Sequence, residues 1–300
     1  MNDIVKSEIE SLCDSFDRTS YYYEKGYILT TLDYLCNIMP GDVDINNMRN
    51  LIRFKMSLMT NEFLKYMTSR QDKINVFMKK NSVFFNGMIP NLPKKNKYPY
   101  KYLAPLSEEN ISYIIEDFLK NTDENIYNFY QKIVDEERLF YSNDNNTALT
   151  TLYNSNTIIF VEDLKTLGDI MIFLHELGHA YYMYINNYRI IERADFQKEL
   201  KDEIPAKVME VKFMEYLQKN GVYEQSLILE NLYNSIMYEC EKKRYRFDNL
   251  KYLIASDVAN TIRERDFNLT KYFRHLYQTD VYTILNEKNN EKRLGKVLKK

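Results

Sequence analysis

Residues 166–186 read TLGDIMIFLHELGHAYYMYIN, and we predict that this segment forms one helix. Thr166 can cap the N-terminus, with Asp169 three residues on, the spacing of a capping box. Apolar residues fill most of the remaining positions, and a helix that is apolar nearly all round lies inside a protein. We therefore expect this helix to be buried.

The centre of this helix, His175-Glu176-Leu177-Gly178-His179, has the pattern His-Glu-x-x-His. Residues four apart lie on one helix face, so both imidazoles can reach one ion at about 2 Å. Glu176 lies between them and can approach water bound to that ion. Buried without partners, such polar groups would cost roughly 2–7 kcal/mol each. The pattern therefore predicts one Zn²⁺ per chain, and a pair of hydrogen-bonded core histidines is the alternative.

A zinc site that hydrolyses a substrate needs a third protein ligand and an open position for water. His275 is the one remaining histidine and does not follow closely, so a carboxylate must serve. Spacing alone does not choose among the acids that follow the motif, which are Glu192, Asp195, Glu199, Asp202, Glu203, Glu210 and Glu215.

The rest of the chain reads mainly as helices, because Gly (7 residues) and Pro (6 residues) are scarce. We predict helices throughout residues 1–85, from Ser107, through Tyr127–Phe140, over about Pro205–Asn220, and two or three more within 224–285.

The clearest strand is Thr157-Ile158-Ile159-Phe160-Val161, which is β-branched and aromatic and follows the polar, Asn-rich stretch 142–156. We expect it to belong to a small sheet. The stretch 86–106 holds four of the six prolines and is the best linker candidate.

The composition limits the partners and the compartment. Lys+Arg 41 against Asp+Glu 43 leaves a net charge of -2, which gives no electrostatic case for nucleic acid. Three scattered cysteines fit neither a disulfide framework nor a cysteine zinc site. The sequence shows no signal peptide and no membrane span, so we expect a cytoplasmic protein without a membrane partner. The oligomeric state is not predicted.

Two segments together resemble the thimet oligopeptidase/oligopeptidase F family of zinc peptidases. They are His175–Ala180 (HELGHA) and Glu203–Glu210 (EIPAKVME). In that family the first Glu of the second segment is the third ligand, and another Glu lies seven residues later. The resemblance thus implies Glu203 as the ligand, and it covers roughly residues 100–260. Glu210 shares a helix side with Glu203 and could bind a ligand histidine or be a solvated acid.

The chain also departs from the family pattern. Ala206 replaces the usual Ser, Tyr182 stands where the family commonly has His, and the usual family chain is about twice as long. The family's later His/Tyr-rich segment is matched loosely by residues 245–252. The resemblance implies Tyr252 as the tyrosine that stabilises the oxyanion, with Tyr245 behind it. Both could equally be packing tyrosines.

The resemblance implies a mostly α, helical zincin-like metallopeptidase fold with a small β-sheet beside the active-site helix. We predict that the chain divides into a helical N-terminal region (1–90), a zinc metallopeptidase catalytic domain (91–285) and a charged C-terminal tail (286–300).

The implied activity is zinc-dependent hydrolysis of short peptides, an endopeptidase or oligopeptidase reaction, with Glu176 as the base. We expect the edge of the 157–161 strand to pair with the peptide backbone. A zinc-site protein without turnover, acting as a peptide-binding or scaffold module, is the first alternative. A zinc hydrolase of another type is the second.

Overall fold

A computed structural model describes residues 3–20, 25–26, 28–29, 31–32, 43–58, 60–88, 103–142, 148–153, 156–188, 196–263 and 265–288. Helices dominate these ranges, and a small sheet lies between them. The elements in chain order are α1 (Asp3–Arg18), α2 (Val43–Leu58), α3 (Thr60–Met88), α4 (Glu108–Thr122), α5 (Glu124–Asp135), β1 (Leu139–Ser142), β2 (Leu149–Tyr153), β3 (Asn156–Glu162), α6 (Leu167–Ile185), α7 (Phe196–Lys219), α8 (Tyr223–Lys242), α9 (Phe247–Ile262), α10 (Leu269–Gln278) and α11 (Val281–Lys288). The prediction of a mostly helical fold with a small sheet is confirmed.

Helix α6 lies at the centre of the main core, and fourteen of its nineteen residues are buried. The predicted capping box is present. The Asp169 amide donates to the Thr166 hydroxyl at 3.3 Å, and the Asp169 carboxylate accepts from the Thr166 amide at 2.8 Å. These contacts satisfy donors that a helix N-terminus otherwise leaves unpaired, so they determine where α6 begins.

The sheet has the strand order β1-β3-β2, with β1 parallel and β2 antiparallel to β3. Alternate residues of β3 face two cores. Ile159 and Val161 join the core around α6, and Ile158 and Phe160 join a second cluster with α1. Because β3 is the central strand, both of its edges are already paired. The expectation that a peptide pairs with the edge of β3 is therefore wrong.

One sequence prediction near this sheet is also wrong. The helix predicted to reach Phe140 ends at Asp135, because Glu137 takes a left-handed conformation (φ 52°) that turns the chain out of the helix. The chain then pairs with β3 as β1, and the Ile159 amide donates to the Arg138 carbonyl at 3.0 Å. Part of the Asn-rich stretch 142–156 forms β2, whose residues, LTTLY, include two threonines and a tyrosine that favour a strand.

Helix α7 begins at Phe196, nine residues before the predicted start, and Pro205 lies inside it. A proline inside a helix removes one hydrogen bond and costs about 3 kcal/mol. The helix nevertheless continues because residues 200–211 are all buried against neighbouring elements. Packing thus outweighs the preference of proline for the first turn of a helix, on which the predicted start at Pro205 was based.

Helices α6 and α7 touch backbone to backbone at Gly178. A Cβ at Gly178 would lie 2.9 Å from the Ala206 Cα and 2.9 Å from the Pro205 carbonyl oxygen. Gly178 therefore permits a close approach that no other residue type would allow. This crossing brings the histidine face of α6 next to the acidic residues of α7.

The N-terminal helices contact both cores, since Ile9, Leu12 and Phe16 lie in the second cluster while Ile74 and Phe77 lie in the main core. The predicted linker and C-terminal tail fall largely outside the described residues, so the division into 1–90, 91–285 and 286–300 stays a prediction. None of the helices in the described ranges combines the length and the apolar character that a membrane crossing requires.

Candidate metal centre

Three side chains from α6 and α7 converge on one point. His175 and His179 contribute their Nε2 atoms, which lie 3.2 Å apart. The Glu203 Oε2 atom lies 3.7 Å from each of these nitrogens. Helical spacing places the two imidazoles on one face of α6, and the crossing at Gly178 places the carboxylate opposite them.

This triangle has the dimensions of a zinc site. A point equidistant from atoms separated by 3.2, 3.7 and 3.7 Å lies about 2 Å from each of them, and Zn–N and Zn–O bonds are about 2.0–2.2 Å. The Glu203 Oε2 atom is buried and has no hydrogen-bond partner among the described residues. A buried carboxylate oxygen without a partner is costly, and a divalent cation would satisfy it. The residues present therefore fit Zn²⁺.

Glu210 holds His175 from the side opposite the triangle. The His175 Nδ1–H donates to Glu210 Oε1 at 2.5 Å, which in the neutral ring leaves the Nε2 lone pair directed toward the triangle. Burial lowers the pKa of His175, but the hydrogen bond and the charge of Glu210 raise it above its ordinary value. A more basic imidazole is a stronger metal ligand.

Glu210 in turn is paired with Lys207, whose Nζ lies 2.8 and 3.0 Å from the two carboxylate oxygens. Burial raises the pKa of Glu210, but the Lys207 ammonium and the His175 hydrogen bond lower it below its ordinary value. Both residues are buried, so Glu210 is not a solvated acid.

Glu203 is held in its charged form by Lys251 of α9. The Lys251 Nζ lies 2.9 Å from Glu203 Oε1. Burial alone would raise the pKa of Glu203, but the Lys251 ammonium and the two imidazoles lower it to about 2. The carboxylate is therefore ionised near neutral pH, the form that binds a metal.

The proposed base, Glu176, is anchored by β2. The Thr150 hydroxyl lies 2.8 Å from Glu176 Oε2 and 2.9 Å from the Glu176 carbonyl oxygen, and it can donate to either of them. Thr150 pairs with Ile159 of β3, so both side chains lie on the sheet face toward α6. The strand thus orients a carboxylate that projects from the same helix as the two histidines.

Tyr252 lies beside the cluster, whereas Tyr245 is largely exposed. The Nζ atoms of Lys207 and Lys251 both lie 5.3 Å from the Tyr252 ring centroid. The Glu203 charge, and then burial, raise the pKa of Tyr252 well above its ordinary value, so its hydroxyl keeps a proton to donate. Tyr245, in contrast, is 72% exposed.

The other candidate ligands lie elsewhere or fall outside the described ranges. Asp202 accepts a hydrogen bond from Tyr188, Glu215 pairs with lysines of its own helix, and His275 Nε2 lies 2.8 Å from a Glu287 oxygen. Tyr182, which stands at the family's histidine position, is buried in an aromatic cluster. Glu192 and Asp195 lie among the residues that the structure does not describe.

Sequence reasoning missed three residues at this site. Lys207 lies four residues after Glu203 and three before Glu210, so helical spacing could have placed it on the same face. Thr150 lies on a strand that was not predicted, and Lys251 reaches the site from α9. The threonines and tyrosine of the LTTLY segment around Thr150 are a local signal for a strand, whereas Lys251 carries no local signal.

Comparisons with known proteins give one structural likeness. No protein-family model matches the chain, and no curated protein matches it. A solved structure described as "Crystal structure of a putative oligoendopeptidase F from Bacillus anthracis str. Ames" aligns with 13% sequence identity and a TM-score of 0.47. The alignment covers 97% of this chain and 68% of that chain.

Proposed function

We propose that this protein is a zinc metallopeptidase that hydrolyses short peptides. The observation that carries the proposal is the triangle of His175, His179 and Glu203, whose atoms surround a point at zinc-bonding distance from each. Three protein ligands of this type leave a fourth position open, the arrangement of catalytic rather than structural zinc. The resemblance of the HELGHA and EIPAKVME segments to the thimet oligopeptidase/oligopeptidase F family supports peptides as the substrate class.

Each neighbouring side chain has a role in this proposal. Zn²⁺ at such a site supplies a Lewis acid that makes water nucleophilic near neutral pH. Glu176 accepts the proton of the attacking water and passes it to the leaving amine. Thr150 keeps the Glu176 carboxylate in place, and the Tyr252 hydroxyl donates a hydrogen bond to the oxygen on which negative charge develops.

The sheet offers a place for the peptide backbone. β3 pairs with β1 on one side and with β2 on the other. β2, the strand that contains Thr150, is therefore an edge strand of the sheet. An extended peptide could add to the outer edge of β2 through main-chain hydrogen bonds. Recognition of this kind tolerates many side chains.

A direct test combines metal content with peptide digestion. Purified protein should contain about one zinc per chain and cleave a mixture of short peptides, and Glu176→Gln should retain the zinc and lose cleavage. Undiminished cleavage by Glu176→Gln would remove the proposed base. Loss of zinc in that variant would show that Glu176 contributes to metal binding instead.

A second candidate is a zinc-site protein without turnover that acts as a peptide-binding or scaffold module. The burial of the site favours it, because the His175 and His179 side chains are only 13% and 10% exposed. One zinc per chain with no cleavage across a broad peptide library would support this candidate. Cleavage that depends on Glu176 would exclude it, because a site without turnover has no need of a base.

A further inference from the structure

We propose that Lys251 is a positioning residue that makes Glu203 bind the cation through Oε2 alone. The inference rests on the metal site of the proposed function and deepens it. It concerns how many oxygens Glu203 supplies, and hence whether the site keeps a position open for water.

The two carboxylate oxygens of Glu203 have different surroundings. Oε1 lies 2.9 Å from the Lys251 Nζ, which is hydrogen-bonding distance. Oε2 lies 3.7 Å from both histidine nitrogens and has no hydrogen-bond partner among the described residues. One oxygen is thus committed to the ammonium, and the other faces the position of the cation.

Lys251 is itself held in place by a second carboxylate. Its Nζ also lies 3.3 Å from Glu199 Oε1, so two acids of α7 share the same ammonium. The other Glu199 oxygen lies 2.5 Å from the Arg70 Nη2 atom of α3. Side chains of alternating charge therefore run from α3 to the metal ligand, and the Glu199 carboxylate helps to hold the Lys251 ammonium beside Glu203.

The coordination of Glu203 follows from this arrangement. A carboxylate bound through one oxygen gives the cation three protein ligands and leaves the fourth position for water. Without the ammonium, the Glu203 Oε1 atom would be a buried charged oxygen lacking its partner. Turning toward the cation would satisfy it, and a carboxylate bound through both oxygens would occupy part of the room that water needs.

The first test uses the unaltered protein. A crystal structure of the wild-type chain with Co²⁺ bound should place Glu203 Oε2 at bonding distance from the ion, with Oε1 still hydrogen-bonded to Lys251. Both Glu203 oxygens bonded to the ion would overturn the inference. A wild-type protein that binds no ion at His175 and His179 would instead overturn the proposed function, so the two failures are distinct.

The second test compares variants by the visible absorption of the Co²⁺-loaded proteins. The wild type should show the intense bands of four-coordinate Co²⁺. Lys251→Met should lose most of that intensity as the coordination number rises, while peptide cleavage falls by roughly 10–100-fold.

Two further variants serve as controls. Lys251→Arg keeps the charge and should restore the wild-type spectrum. Lys242→Met removes an exposed lysine that pairs with Glu239 on the surface, and it should match the wild type in spectrum and cleavage. A folded Lys251→Met protein with a wild-type spectrum would overturn the inference. If Lys251→Met does not fold, the Co²⁺-bound wild-type structure decides.

Discussion

We predict that Gly178→Ala destabilises the protein, because α6 and α7 touch backbone to backbone at Gly178. Helix propensity alone would predict the opposite, since alanine favours a helix more than glycine does. Alanine at a helix-interior glycine ordinarily gains about 0.5–1 kcal/mol. Here its Cβ would lie 2.9 Å from the Ala206 Cα and the Pro205 carbonyl oxygen. Both are backbone atoms that cannot rotate away, and overpacking of this kind costs about 1–3 kcal/mol. We expect a net loss of about 1–2 kcal/mol.

The matched control is the other glycine of the same helix. A Cβ at Gly168 would meet the Leu103 Cδ1 atom at 3.1 Å, and that atom ends a flexible side chain. Gly168→Ala should therefore be neutral or slightly stabilising. Urea unfolding followed by circular dichroism measures both variants, together with wild type. If Gly178→Ala is at least as stable as wild type, the close crossing of the two helices is refuted.

The same crossing sets the separation of the metal ligands. His175 and His179 lie on one helix at the contact, and Glu203 lies on the other. If the helices move apart to admit the added methyl group, the carboxylate moves away from the imidazoles. We therefore expect Gly178→Ala to bind zinc more weakly than Gly168→Ala, as measured by competition with a chromogenic chelator.

Three further predictions concern the side chains around the site. Thr150→Val removes a hydrogen bond to the charged Glu176 that is worth about 1.5–3 kcal/mol, so the rate of peptide cleavage should fall about 10–100-fold. Thr150→Ser keeps the hydroxyl and should retain most of the wild-type rate. Glu210→Gln weakens the hydrogen bond to the His175 imidazole and should reduce zinc affinity about 10–100-fold in a chelator competition. Unchanged affinity would show that Glu210 does not support His175 as a ligand. Tyr252→Phe should lower kcat by about 10²–10³-fold with little change in KM, whereas the exposed Tyr245→Phe should have no effect in the same peptide assay.

Local sequence signals located α6 and both of its histidines. The capping box at Thr166 and Asp169 needs only neighbouring residues, and the pairing of His175 with His179 follows from helical periodicity. These features do not depend on the remainder of the fold, so they could be read directly from the sequence.

Features that depend on distant parts of the chain were not predictable in this way. Helix α7 extends nine residues upstream of Pro205 because buried packing outweighs the cost of the proline. Spacing could not single out Glu203 among the acids that follow the motif, and only the resemblance to the peptidase family did so. Lys251 is more than forty residues beyond its partner Glu203, and nothing in the intervening sequence signals the pairing.

An acid of α7 and two imidazoles of α6 are proposed to bind one divalent cation. Anomalous diffraction at the zinc edge, from crystals of the zinc-saturated protein, would locate that cation. We expect one strong peak about 2.0–2.2 Å from the Nε2 atoms of His175 and His179 and from Glu203 Oε2. A peak elsewhere, or a Glu203 side chain directed away from the histidines, would contradict this proposal.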